Sequence, residues 1–232
     1  MSAQEFAPGL VIQHFVPPLR LGDFKAIAFD MDSTLISIEC IDEIADAVGK
    51  KAEVAAITEA ATRGEITDFK DSLRRRVALL KGVPAESLQE VYDQRLKINP
   101  GAPELINAAK AAGLQTLLVS GGFTFFADRV RERLGMHEAH SNTLEIEGGL
   151  LTGRVLGDIV DGEAKKQHLL RLCERIGCDP RQSIAVGDGA NDLLMMGVAG
   201  LSVAYHAKPK VREQAMVAIN EGGLDRVLAL MA

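Results

Sequence analysis

Short strand-like stretches in this 232-residue chain, the first of them wholly apolar, each stop abruptly at a polar or glycine-rich segment. Ala26-Ile27-Ala28-Phe29 ends in Asp30, Gln115–Val119 in Ser120-Gly121-Gly122, and 183–187 in Asp188-Gly189-Ala190-Asn191-Asp192. Runs without polar alternation suit parallel strands buried on both faces. Between them lie segments of helical period: 103–112, 124–134, 163–176, 190–196, 208–215 and 224–230. Further strands are expected at 200–204 and 217–219, and a hairpin at 143–155 around Gly148-Gly149. Strand–helix alternation of this kind predicts an α/β fold, a doubly wound parallel (Rossmann-like) sheet.

Residues 41–98 break that rhythm. Apolar residues recur there only at helical spacing, and Gly49, Gly64 and Gly82-Val83-Pro84 divide the stretch into about four helices. The expected organisation is a core of residues 25–40 and 99–232 interrupted by a small helical insert, 41–98. Residues 1–24 form a lead with no strong period and no role that the pattern assigns, although Leu10-Val11-Ile12 could add an edge strand.

Composition narrows the class. A chain of this length buries roughly 70% of its unfolded surface, enough for a core. Its net charge of −6 argues against a general nucleic-acid binder. Cys40, Cys173 and Cys178 are odd in number with no CxxC, so a disulfide framework is not expected and a reducing cytoplasm fits. No apolar stretch approaches the ~20 residues that span a bilayer. The five histidines have no ligand-like spacing, the cysteines read as inert thiols, and Met195-Met196 reads as core.

The polar segments after the strands are where open α/β sheets bind ligands. Asp30 and Asp32, two apart, could share a pocket, one attacking an electrophile and the other exchanging a proton. Ser120-Gly121-Gly122 has the makings of an anion nest, because no Cβ keeps an oxyanion from the backbone N–H groups. Lys165 and Lys166 lie about 40° and 60° from Leu169 at roughly 100° per residue, so periodicity barely separates them. Asp188, Asn191 and Asp192 offer hard oxygen donors of the kind Mg²⁺ prefers. In 69–80, Phe69, Leu73, Arg76 and Leu80 fall within about 60° on one helical face, whereas Arg74 and Arg75 point away.

Read together as DMDST, VSGG, Lys165 and GDGAND, in that order, these segments resemble the haloacid dehalogenase superfamily of phosphatases. FDMDSTLI, ECIDEIA, SLRRRVALLKG, LVSGGF, AVGDGANDLLMM and AGLSVAYHAKP extend the resemblance over 25–232, toward members that act on O-phospho-L-serine. The resemblance implies an Mg²⁺-dependent enzyme that hydrolyses phosphoserine to L-serine and phosphate, the last step of L-serine biosynthesis. Asp30 would be the nucleophile and Asp32 the general acid and base. Asp30, the Asp32 carbonyl and Asp188 would hold the metal, supported by Asn191 and Asp192. Ser120, the Gly121 amide and Lys165 would hold the phosphoryl oxygens, with Asn191 also near the substrate. The insert would be a specificity cap, with Glu39 on the substrate ammonium, Arg76 on its carboxylate and Phe69 as apolar cover.

Because the substrate must enter a site that later excludes water, the cap is expected to open and close about hinges near 37–41 and 98–101. It departs from the family at Thr62, two residues before Gly64, where a methionine is frequent, and this loosens the expected exclusivity for phosphoserine. Twenty-four residues cannot form an amino-acid-binding regulatory domain, so no feedback control by that route is expected. The partner is a small molecule, not nucleic acid or membrane, and the chain is a monomer or homodimer. The rivals are a phosphatase or phosphotransferase on another small phosphorylated metabolite and a receiver-like phosphate-sensing module. Receivers are about half this length and need no cap.

Overall fold

A computed structural model describes residues 3–62 and 65–232. The Thr62 side chain and Gly64 lie outside the described residues, and so does the departure read at them. The strands are β1 (Gln4–Ala7), β2 (Leu10–Ile12), β3 (Ala26–Phe29), β4 (Gln115–Phe123), β5 (Glu138–Glu147), β6 (Leu150–Leu156), β7 (Ser183–Gly187), β8 (Leu201–Tyr205) and β9 (Val217–Ile219). The helices are α1 (Cys40–Ala47), α2 (Lys51–Thr62), α3 (Phe69–Ala78), α4 (Glu86–Gln94), α5 (Ala102–Ala111), α6 (Thr124–Leu134), α7 (Gly162–Ile176), α8 (Leu193–Val198) and α9 (Pro209–Gln214).

Across the sheet the strand order is β1-β2-β9-β8-β7-β3-β4-β5-β6. From β9 to β5 every pair is parallel, with Phe29 in register with Leu118 on one side and Val186 on the other. The chain leaves β3 for β4 on one flank and later returns to β7 on the other. The strand order therefore reverses at β3, and a crevice opens at the carboxyl ends there.

Both faces of these strands are buried, but their side chains differ in size. Ile27, Phe29, Leu118, Ile184 and Val186 fill one face, packed with the apolar residues of α5 and α6. Ala26, Ala28 and Ala185 line the other, under Leu169, Leu172 and Cys173 of α7 and Met195 and Met196 of α8. Alanine at these positions lets α7 lie close to the sheet.

The structure corrects the sequence reading in four places. The 1–24 lead gives more than the edge strand read at Leu10–Ile12, which is β2: β1 lies outside it, β1 and β2 pair antiparallel, and β2 pairs antiparallel with β9. The sheet is thus antiparallel at both edges, β6 closing the other against β5. Strand β4 runs on through Ser120–Phe123 instead of turning, and its ladder to β5 is interrupted between Val119 and Phe123. The helix expected at 190–196 is a tight turn, Ala190–Asp192, followed by α8. Residues 224–230 form a 3₁₀ helix, whose buried Leu224, Val227 and Leu230 recur every third residue, the spacing that 3₁₀ geometry eclipses.

Helices α1–α4 stand between β3 and α5. Their two connections to the sheet run side by side: Ile36 and Ile98 form an antiparallel bridge, Ser37 N–H donates to Lys97 O at 3.0 Å, and Asn99 N–H donates to Leu35 O at 2.9 Å. The buried Asn99 amide also donates to Thr34 O at 2.8 Å and Ile36 O at 3.0 Å. Among the described residues no helix is long and apolar enough to cross a membrane.

Gly101 starts α5 at φ 78°, and a Cβ there would run into the Asp225 carboxylate and backbone and come within 2.7 Å of Leu224 N. Gly101→Ala is expected to lower stability by about 2–4 kcal/mol, the sum of a left-handed backbone and overpacking. The urea midpoint should fall at unchanged slope.

Candidate active site

Asp30 extends β3 by one residue, its N–H bonded to Val186 O at 2.9 Å, and its Oδ1 accepts the Met31 N–H at 2.7 Å. Residues 31–35 then make one wide turn, closed by Ile36 N–H to Met31 O at 3.1 Å. Ser33 takes φ 56° inside it, a conformation uncommon for a residue with a Cβ. Two hydroxyls of the same turn reach outward. Ser33 donates to Glu39 Oε1 at 2.6 Å, and the buried Thr34 donates to Asp188 Oδ1 at 3.2 Å.

Lys165, on the first turn of α7, points into the sheet and is fully buried. Its ammonium lies 2.8 Å from Asp30 Oδ2 and 2.7 Å from Asp192 Oδ1. Lys166 stays at the surface with Glu163, which separates the two lysines that periodicity could not. Asp192 is buried too, and its Oδ2 accepts from the N–H groups of Gly189 at 3.0 Å and Asp188 at 3.2 Å.

Carboxylate oxygens of Asp30, Asp188 and Asp192 all lie within 4.8 Å of one another. One ammonium does not balance three carboxylates. Burial, with Asp192 next, pushes the Asp188 carboxyl up to about 7. Burial and then Asp192 drive Asp30 upward as well, against the pull of Lys165. Lys165 stays protonated in spite of burial, because Asp192 and Asp30 hold its charge. The cluster therefore lacks positive charge and presents hard oxygen donors, a set that fits a divalent cation.

Asp32 sits beside this cluster. Among the described residues, its Oδ1 is buried without a hydrogen-bond partner. Burial, and then the Glu39 charge, push its carboxyl up to about 8, opposed by hydrogen bonds from the thiol and backbone N–H of Cys40. Cys40 opens α1, so the thiol read from sequence as an inert bystander touches Asp32 in space. Its own ionisation is suppressed by burial and then by Asp32.

The interrupted end of β4 approaches from the other side. Buried Ser120 accepts the Gly122 N–H at 2.9 Å. A Cβ on Gly122 would stand 2.9 Å from Asp32 Oδ2 and 3.1 Å from Ser120 Oγ. A Cβ on Gly121 would meet Phe69 Cζ of α3 at 2.8 Å, so the aromatic ring lies on this backbone. Lys70, next along α3, pairs with Asp161 at 3.1 Å, and Asp161 caps α7 through the Ala164 N–H.

On α3, Leu73 is buried, Arg76 half-buried, and Arg74 and Arg75 exposed. Leu80 is buried just beyond the helix end. Arg76 Nε donates to Ser72 O at 3.4 Å, and its guanidinium lies in the field of Asp42, Glu39 and Asp32. Asn191 is half-buried on the turn before α8, its backbone against Gly162 at the start of α7. The structure thus brings Asp30, Asp32, Ser120, Lys165, Asp188 and Asp192 together at the carboxyl ends of β3, β4 and β7, with Glu39, Phe69 and Arg76 on the helical side. Ser33, Thr34, Cys40 and Gly122 also line the site. The first two stood inside DMDST, and Gly122 beside Ser120, as available signals. Nothing in the sequence marks the Cys40 contact.

A family model for haloacid dehalogenase-like hydrolases matches residues 24–200. The chain is 66% identical, over the full length of both, to a phosphoserine phosphatase of Polaromonas sp. (strain JS666). It is 64% identical, over 99% of each chain, to one of Albidiferax ferrireducens. A substrate-bound phosphoserine phosphatase complex superposes with a TM-score of 0.84 at 38% identity, covering 90% of this chain and 99% of the other. The chain belongs to the haloacid dehalogenase-like hydrolase family.

The carboxylate excess has a measurable consequence in metal-free protein. The Asp188 carboxyl, raised from 3.8 to about 7, keeps a proton in the fold that the unfolded chain has released. The wild type therefore loses stability as pH rises through that window, and Asp188→Asn is spared the share that Asp188 contributes. The variant's stability advantage in urea with EDTA should grow from about pH 4 to about pH 7 and level off above. Adding Mg²⁺ should raise the melting temperature of the wild type and leave that of the variant unmoved.

Proposed function

We propose that this chain is a cytoplasmic phosphatase that hydrolyses O-phospho-L-serine to L-serine and phosphate, the last step of L-serine biosynthesis. The observation that carries the reading is the buried Asp30–Lys165–Asp192 arrangement with Asp32 two residues from Asp30. It places a carboxylate under charge control next to a carboxyl that remains an acid near neutral pH.

Mg²⁺ would be held by Asp30, the backbone carbonyl of Asp32 and Asp188, and when bound it supplies the positive charge that screens a phosphate dianion from a carboxylate. Asp192 supports that set, because its two oxygens are already engaged by Lys165 and by the Asp188 and Gly189 N–H groups. Asn191 steadies the same turn and borders the substrate. Ser120, the Gly121 N–H and Lys165 take the phosphoryl oxygens. Asp30 attacks phosphorus in line, and the bond from phosphorus to the serine oxygen breaks. Asp32 gives that oxygen its proton, so serine leaves as an alcohol. A water then attacks the aspartyl-phosphate, Asp32 takes the water's proton, and phosphate departs with Asp30 restored. Positioning and charge stabilisation dominate such a transfer.

Residues 41–98 act as the cap that reads the rest of the substrate. Glu39 meets the ammonium, the Arg76 fork takes the carboxylate, and Phe69 excludes water above Gly121. The cap opens and closes about 37–41 and 98–101, and the paired strand segments at Ile36 and Ile98 support a shared hinge.

Phosphate release from phosphoserine tests the reading. Asp30→Asn should lose at least about a thousandfold in kcat, and full activity would remove Asp30 from the chemistry. Arg76→Ala should lower kcat/KM for phosphoserine about a hundredfold, because a charge pair loses one member. An unchanged value would remove the carboxylate clamp.

A further inference from the structure

Strand β4 leaves its ladder beside the groups that would hold the phosphoryl oxygens. Between the Val119–His140 pair and the Phe123–Asn142 pair, β4 advances four residues and β5 only two. The surplus falls within Ser120–Gly122. A buried carbonyl that loses its ladder partner needs another donor. For Gly121 O that donor is the side-chain amide of Asn142, at 2.8 Å.

Asn142 is 1% exposed, and both ends of its amide are engaged. Its Oδ1 accepts the Val160 N–H at 2.8 Å. A backbone N–H can only donate and a carbonyl can only accept, so these two partners fix which way the amide faces. The Val160 end is itself anchored. Asp161, the next residue, accepts the Ala164 N–H at 2.9 Å, and its carbonyl accepts the Lys165 N–H at 2.9 Å. The amide is therefore a strut between the start of α7 and the end of β4. A peptide unit is planar, with its C=O and N–H pointing opposite ways. Holding Gly121 O on Asn142 thus aims the Gly122 N–H away from β5, where it meets Ser120 Oγ at 2.9 Å. A hydroxyl that accepts such a bond keeps its own proton to donate.

We propose that Asn142 is a positioning residue, which acts through the Gly121–Gly122 peptide to hold the Ser120 hydroxyl as a donor to a phosphoryl oxygen. This rests on reading Ser120 as a ligand of the phosphoryl group. The need for a strut follows from the residue types. A peptide between two glycines rotates more freely than any other. Neither glycine can be exchanged for a stiffer residue, because a Cβ at Gly121 would meet the Phe69 ring and one at Gly122 the Asp32 carboxylate. The restraint that the backbone lacks comes from a side chain on the neighbouring strand, which does not touch the substrate.

The test is kinetic, on phosphoserine with saturating Mg²⁺, using Asn142→Ala and the volume-conserving Asn142→Leu, each well below its melting temperature. Both should lower kcat about tenfold while KM moves less than about threefold, as expected of a contact that matters most in the transition state. Ser120→Ala should lower kcat about a hundredfold. In the Ser120→Ala background, either Asn142 substitution should cost less than about a further twofold, since its effect acts through the serine. A general loss of folded protein would instead multiply with the serine loss. A further tenfold fall in the double variants would therefore overturn the proposal, and so would wild-type kcat in the Asn142 single variants. Wild-type kcat in Ser120→Ala would remove the serine from phosphoryl binding and the proposal with it. A hundredfold loss in Ser120→Ala beside unaltered Asn142 variants would end the positioning role alone.

Discussion

The structure is organised around a fully buried ammonium. Taking Lys165 and its two carboxylates out of water costs several kcal/mol per ion, and only close, well-directed pairing offsets that cost. Three separate stretches of chain must therefore converge within hydrogen-bond distance: the end of β3, the first turn of α7 and the turn before α8. The alanines of β3 and β7 on the α7 face permit the close helix–sheet approach this requires. The turn at 190–192 is tight because Asp192 also ties down the N–H groups of Asp188 and Gly189. The pair of aspartates then leaves net negative charge at the strand ends, and a third carboxylate, Asp188, adds to it. What would be a liability in a structural core becomes a site with a demand for a cation.

Much of this was legible in the sequence because it is local. The strand at 26–29 is an unbroken apolar run, that at 183–187 is one after Ser183, and α7 ends at Gly177, as its left-handed cap at φ 69° requires. The acids stood out because they follow strands. Lys165 did not stand out from Lys166 by period, since the choice is made by Asp30 and Asp192, which lie 135 and 27 residues away along the chain. The same holds for β1 and for the partner of the edge strand read at 10–12. Strands of four and three residues carry no measurable period, and β2 finds its partner in β9, about 200 residues on. For residues 224–230 the period misled: apolar positions every third or fourth residue suit an α-helix in sequence, whereas the three buried positions here recur every third. The Cys40–Asp32 contact is a product of the wide turn at 31–35, whose left-handed Ser33 no propensity would single out.

Recognition and chemistry fall on different kinds of structure. The reacting groups sit on strand ends and a helix turn held by the parallel sheet, where a displacement would break several buried contacts at once. Glu39, Phe69 and Arg76 sit on or beside helices that lie outside the sheet and are fastened to it by the ring of Phe69 on Gly121, the Lys70–Asp161 pair, the hydrogen bonds around Asn99, and the backbone hydrogen bonds of residues 82–85 to Gly149 and Leu151. Rigid placement suits proposed groups that must align with phosphorus.

The pairing of Ile36 with Ile98 has an architectural consequence. Both crossings between sheet and helices leave the sheet as neighbours, already joined like the base of a hairpin. The helical segment is then, for the sheet, a long loop whose ends are fastened together and which is tied again to β6 through residues 82–85. Closure entropy grows only slowly with loop length, so the clasp itself costs the sheet little more for a longer insertion. A fold of this kind can exchange what it recognises by changing one insertion, while the strands that carry the acids keep their register.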